Sequence, residues 1–180
     1  MSEFEYIAVL LSIVFGLAIT QLLAGTMRLF YEGRMDDVRL GWALAVALAL
    51  IINWWGLFQW RDTEQWRFEL YAFLMVWAIC HYALAAALFP GDLAGRIDPE
   101  DERKVFLVVL LVTMGIDITE AHLRGDLFSP WYYLPSMASW ALVTLAALVV
   151  RRRWVDRLAA WYMFASFLFF ALIARSLLQA

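Results

Sequence analysis

Six stretches of about twenty predominantly apolar residues occupy most of this chain, and they constrain it more than any short motif does. A bilayer core about 30 Å thick is crossed by about 20 apolar residues of helix. The runs fall at 6–30, 40–60, 70–90, 105–124, 131–150 and 158–176. Each is too long and too uniformly apolar for a barrel strand of about 9–11 residues with alternating polarity. The expected fold is therefore an all-α integral membrane protein with six transmembrane helices, one helical domain over 1–180 with halves at 1–90 and 91–180.

Composition agrees with this. Hydrophobic residues make up 64% and the mean hydropathy is +0.71, against about 45–50% apolar residues in an ordinary globular domain. The charged residues gather in short connectors at 31–39, 61–69, 91–104, 125–130 and 151–157, none long enough to fold alone. The longest carries Asp98, Pro99, Glu100, Asp101 and Glu102 and is expected to be a surface hinge between the halves. Glu3 and Glu5 precede the first run, which is unlike the basic start of a cleaved signal, so that run is expected to be retained. The net charge of −3 describes no nucleic-acid surface, and the single cysteine, Cys80, leaves no disulfide within the chain.

Lys and Arg distribute unevenly. Ten of the fourteen, Arg28, Arg34, Arg39, Arg96, Arg103, Lys104, Arg151, Arg152, Arg153 and Arg157, flank the first, third and fifth connectors. Arg61, Arg67, Arg124 and Arg175 lie toward the other side. The positive-inside rule then puts connectors 1, 3 and 5 in the cytoplasm and both termini outside, in a cytoplasmic-type (inner) membrane. An acidic start, six apolar runs and very short loops give an outline that resembles many small bacterial inner-membrane proteins, and it fixes no activity. Trp54, Trp55, Trp60, Trp66, Trp131, Tyr132 and Tyr133 are expected to form an aromatic belt at the outer interface.

The first and fourth runs superpose with an offset of 99 residues: Val9, Gly16, Ile19 and Thr20 fall on Val108, Gly115, Ile118 and Thr119. With three spans in each half, such a duplication would be an inverted repeat, an arrangement that forms sites near the bilayer midplane. Ser12, Gly16 and Gly115 are expected to mark close helix packing; Ser12, Gly16, Thr20 and Ala24 form a small-residue stripe at four-residue spacing.

The fourth run is the most informative. Its uninterrupted apolar part covers only 105–116, too little to cross, so the helix must carry Asp117, Thr119, Glu120 and His122 into the membrane. Spacings of three and four put Thr113, Asp117, Glu120 and Arg124 on one stripe, with Glu120 and Arg124 placed as an ion pair. Thr20, Gln21, Asn53, Cys80 and His81 fall at a similar depth in other runs. Intramembrane ionisable residues read by default as functional.

Three readings follow. In the first, Asp117, Glu120, His81, Gln21, Asn53, Thr20 and Thr119 form a proton or ion pathway in a small transporter or channel. In the second, these polar groups bond helices together in a structural or accessory subunit. In the third, His81, Cys80, Asp117 and Glu120 ligate a metal, or His81 a haem iron, in a membrane redox protein. The cofactor is left undetermined, no catalytic residue is singled out, and the partners expected are the lipid bilayer and either further copies of the chain or another membrane protein.

Overall fold

The structure, a computed structural model, describes residues 3–63, 65–90 and 98–177, with side chains up to residue 172. Gly91, Arg96 and the side chain of Arg175, which entered the sequence reading, lie outside the described residues. Six helices run in chain order: α1 (Glu3–Tyr31), α2 (Asp37–Gly56) with a 3₁₀ turn at Leu57–Trp60, α3 (Phe68–Leu88), α4 (Pro99–Arg124), α5 (Tyr133–Val150) and α6 (Arg153–Leu177). There are no strands among the described residues, and all six helices are long and apolar enough to cross a membrane. Helices satisfy their own backbone polar groups, which is what the interior of a bilayer demands. The chain is an integral membrane protein.

Local chemistry sets the helix ends. Asp36 caps α2, its carboxylate accepting from the Arg39 amide at 2.8 Å. Asp98 caps α4 in the same way, accepting from the Glu100 amide at 2.8 Å, with Pro99 at the first helical position and Glu100, Asp101 and Glu102 against the positive end of the helix dipole. This corrects the expectation of a hinge at Asp98–Glu102: those residues are the start signal of α4, which begins six residues before its apolar run. Gly125 closes the same helix with φ 88°, a left-handed turn that glycine adopts freely. Pro135 falls in the first turn of α5, where its missing N–H costs no helical bond.

Around the bundle the helices succeed one another in the order α1, α3, α4, α5, α6, α2, and α2 closes the ring onto α1. Helix α2 also touches α3, and its Trp42 meets Phe106 of α4 edge to face at 5.1 Å. This order does not display the repeat: α1 packs along α3, but α4 and α6, which a duplication would pair in the same way, share no comparable face.

Among the described glycines, two sit where a side chain would crowd a neighbouring segment. A Cβ on Gly25 of α1 would collide with the Phe89 side chain at the end of α3. On Gly41 of α2 it would lie 3.0 Å from the Ala160 Cβ of α6. By contrast Gly16 and Gly115 are exposed, with nothing within 4 Å of an added Cβ. Their expected role in packing is therefore corrected within the chain, since the stripe that carries Gly16, Thr20 and Ala24 faces outward. Ser12 lies beside it, lining a shallow cleft with Phe4, Trp54 and Phe58. Gly25→Leu is expected to lower stability by about 1–3 kcal/mol or to prevent folding, through overpacking against Phe89. Gly16→Leu should change it by no more than about 0.5 kcal/mol. Thermal unfolding in detergent compares the two, and equal losses would mean that the Gly25 contact does not matter.

Candidate functional site

The polar residues of the bundle form a file that runs inward along α4. It starts at the end of the bundle with Asp126, whose side chain is 44% exposed, and Arg124 donates to it at 2.8 Å through Nε. Through its terminal nitrogen Arg124 also reaches Glu120 Oε1, at 3.1 Å. The buried Glu120 takes a second hydrogen bond at that oxygen from the indole N–H of Trp60, at 2.7 Å. Trp60 sits in the 3₁₀ turn after α2 and is itself buried, so it serves the interior of the bundle and not an interfacial belt. Trp55 and Trp131, in contrast, are exposed, as a belt requires.

One helical turn further in comes Asp117, on the same face of α4 as Glu120. Its Oδ1 accepts from the Trp77 indole at 2.8 Å and lies 3.5 Å from His81 Nε2. The Asp117 side chain is 14% exposed and that of His81 1%. Trp77 and His81 are four residues apart on α3 and share a face, so one helix supplies both the donor to the carboxylate and the imidazole beside it. Tyr133 of α5 donates to the backbone carbonyl of Asp117 at 3.1 Å, which fixes this turn of α4 from the third side.

The bonds of His81 define its proton. Nδ1 lies 2.9 Å from the Trp77 carbonyl, which can only accept, so Nδ1 carries a hydrogen. Nε2 lies 2.8 Å from Asn53 Nδ2. In the neutral imidazole Nε2 is therefore the acceptor of the Asn53 amide hydrogen, with Asp117 alongside. A proton arriving at Nε2 would make it a donor to Asp117 and would require the Asn53 amide to turn its oxygen inward. The ring is packed by Trp77 at 5.1 Å and by Phe15 of α1 at 5.5 Å, which shield it from water.

Of the residues singled out from the sequence, His81, Asn53 and Asp117 come together from three helices, and Glu120 with Arg124 adjoins them. Gln21 does not join: its amide donates to the Phe89 carbonyl at 2.9 Å, tying α1 to the end of α3. Thr20 and Thr119 are exposed, and each hydroxyl bonds back to its own helix, at the carbonyls of Gly16 and Gly115. Similar depth in different helices did not amount to contact, because both threonines lie on outward faces. Cys80 is a free, partly buried thiol next to His81 in sequence, and His122 is exposed. His81, Cys80, Asp117 and Glu120 do not converge: no three Asp, Glu, Cys or His side chains form a metal-binding group among the described residues. Trp77 and Trp60 were missed as site residues. An indole in an apolar run reads as core, and only the fold shows that each donates to a carboxylate of α4. The chain matches no protein-family model, no curated protein and no solved structure.

Proposed function

We infer that the chain is a proton- or ion-linked membrane transporter or channel in which Asp117 and His81 exchange the proton. The observation that carries this reading is the file of ionisable side chains. Asp126, Arg124 and Glu120 are ion-paired in series, and one helical turn further in a carboxylate and an imidazole lie 3.5 Å apart between helices. Ionisable groups within spans face one another and mark ion or proton routes. Further along α4 and α5 the buried polar side chains among the described residues are Thr113 and Thr144, each bonded back to its own helix at 2.9 and 2.8 Å, so the ionisable residues lie toward the Asp126 end. The excess of Lys and Arg at the opposite end would set connectors 1, 3 and 5 in the cytoplasm, and the proton entrance at Asp126 outside.

The test is proton flux into liposomes carrying the purified protein, driven by an imposed pH gradient and read with an enclosed pH-sensitive dye. Wild type is expected to exceed empty liposomes, Asp117→Asn to fall to the leak rate, and Asp126→Asn to slow flux several-fold. Wild-type flux in Asp117→Asn would end this reading. One observation favours an accessory or scaffold role instead: no buried side-chain nitrogen or oxygen lacks a partner among the described residues, so the cluster is complete as interhelical bonding. In that case flux is absent and the protein co-purifies with one fixed membrane partner.

A further inference from the structure

At the end of the bundle away from Asp126, a cavity of about 350 Å³ opens between the first turns of α2, α4 and α6 and the last turn of α3. That volume is within the range of small-molecule sites. Trp42, Phe106 and Leu88 give it an apolar floor, while its rim is charged, with the carboxylates Asp36, Glu100, Glu102 and Asp156 against the guanidiniums of Arg39, Arg103 and Arg153.

Most of these charges are already spent on one another. Arg103 holds Asp156 through two hydrogen bonds at 2.9 Å and also reaches Glu100, while Arg153 leans on Asp36 and Asp37. Arg39 and Glu102 are different. Their charged groups approach only to 3.8 Å, beyond hydrogen-bond range, and neither side chain has a hydrogen bond among the described residues. Both side chains line the cavity, and since no buried side-chain nitrogen or oxygen lacks a partner among the described residues, their unpaired donors and acceptors are accessible.

We propose that this cavity binds an ammonium–phosphate zwitterion, the phosphoethanolamine group, with the ammonium on Glu102 and the phosphate on Arg39. Among the described lining residues a bare anion would meet four carboxylates against three guanidiniums, and a bare cation would leave Arg39 facing it. A zwitterion inserts between the two with each charge matched and hydrogen-bonded. Its place at the ends of apolar spans, with an apolar floor, suits a phospholipid headgroup whose first methylenes lie on Trp42 and Phe106. A primary ammonium offers N–H donors to Glu102, and a trimethylated one offers none.

The full-length protein in detergent, titrated with phosphatidylethanolamine or phosphatidylcholine and read by native mass spectrometry, tests this. Both lipids are zwitterions, so net charge cannot account for a difference. Phosphatidylethanolamine is expected to bind about tenfold more tightly, the size of one charged hydrogen bond. Glu102→Gln is expected to abolish that preference, and Arg39→Gln to weaken both lipids. Free phosphoethanolamine is the second arm: binding comparable to the lipid's supports the same site with a soluble ligand, and weak binding supports the lipid. Equal affinity for the two lipids in wild type, a comparison that needs no variant to fold, overturns the proposal. So does an undiminished preference in Glu102→Gln.

Discussion

Asp117→Ala is expected to destabilise the protein by about 2–4 kcal/mol, because it leaves the buried Trp77 indole without its acceptor and opens a void beside His81. Asp117→Asn keeps an oxygen in the Oδ1 position and keeps the volume, so its loss is expected to stay near 1 kcal/mol. Thermal unfolding of the two variants in detergent separates what the carboxylate does for the fold from what its charge does. A stable Asp117→Asn that carries no proton flux places the residue in the transport path. If instead Asp117→Ala were as stable as wild type, the Trp77 bond would hold nothing together, and the proposed site would lose its geometric basis.

The second large effect is expected at Arg103, on the cavity rim. Its guanidinium bonds Asp156 of α6 twice, reaches Glu100, and donates to the carbonyl of Ala147 near the end of α5. One planar side chain thus ties three helices, with both partners of the main pair largely buried. Arg103→Met strands the Asp156 carboxylate and the Ala147 carbonyl together, which is expected to cost about 3–5 kcal/mol. Arg103→Lys should recover only part of this, since an ammonium cannot make the two-pronged bond and reach the carbonyl as well. Denaturation midpoints of the three proteins decide it, and full recovery with lysine would show that charge alone matters there.

The spans were legible because a run of apolar residues of the right length has few alternatives in lipid. Even the early start of α4 was written in the chain, as Asp98, Pro99 and three acidic residues, but a hydropathy reading passes over a capped polar turn. The Asp117–His81 encounter was legible only as two unusual residues at similar depth. Which depths meet depends on the order of helices round the ring, and apolar periodicity carries no address for a neighbour. For that reason Gln21, Thr20 and Thr119 share a depth with Asn53 but not its contact with His81. The same limit explains the glycines: Gly16 sits in an obvious small-residue stripe that faces outward, while Gly25 and Gly41, in no pattern, hold the tight contacts.

The pairing of α2 with α6 bears on how the protein is made. Helix α2 leaves the ribosome early, yet the surface around Gly41 is covered by Ala160 and Trp161, and its first turn by Arg153 and Arg157, all made after the other five helices. Chains are inserted from the amino end, so the nascent protein waits in the membrane with that groove open until the sixth helix closes it. A product stopped after α5 is then an arrested intermediate, exposed to quality-control proteases, and not a smaller protein of the same kind.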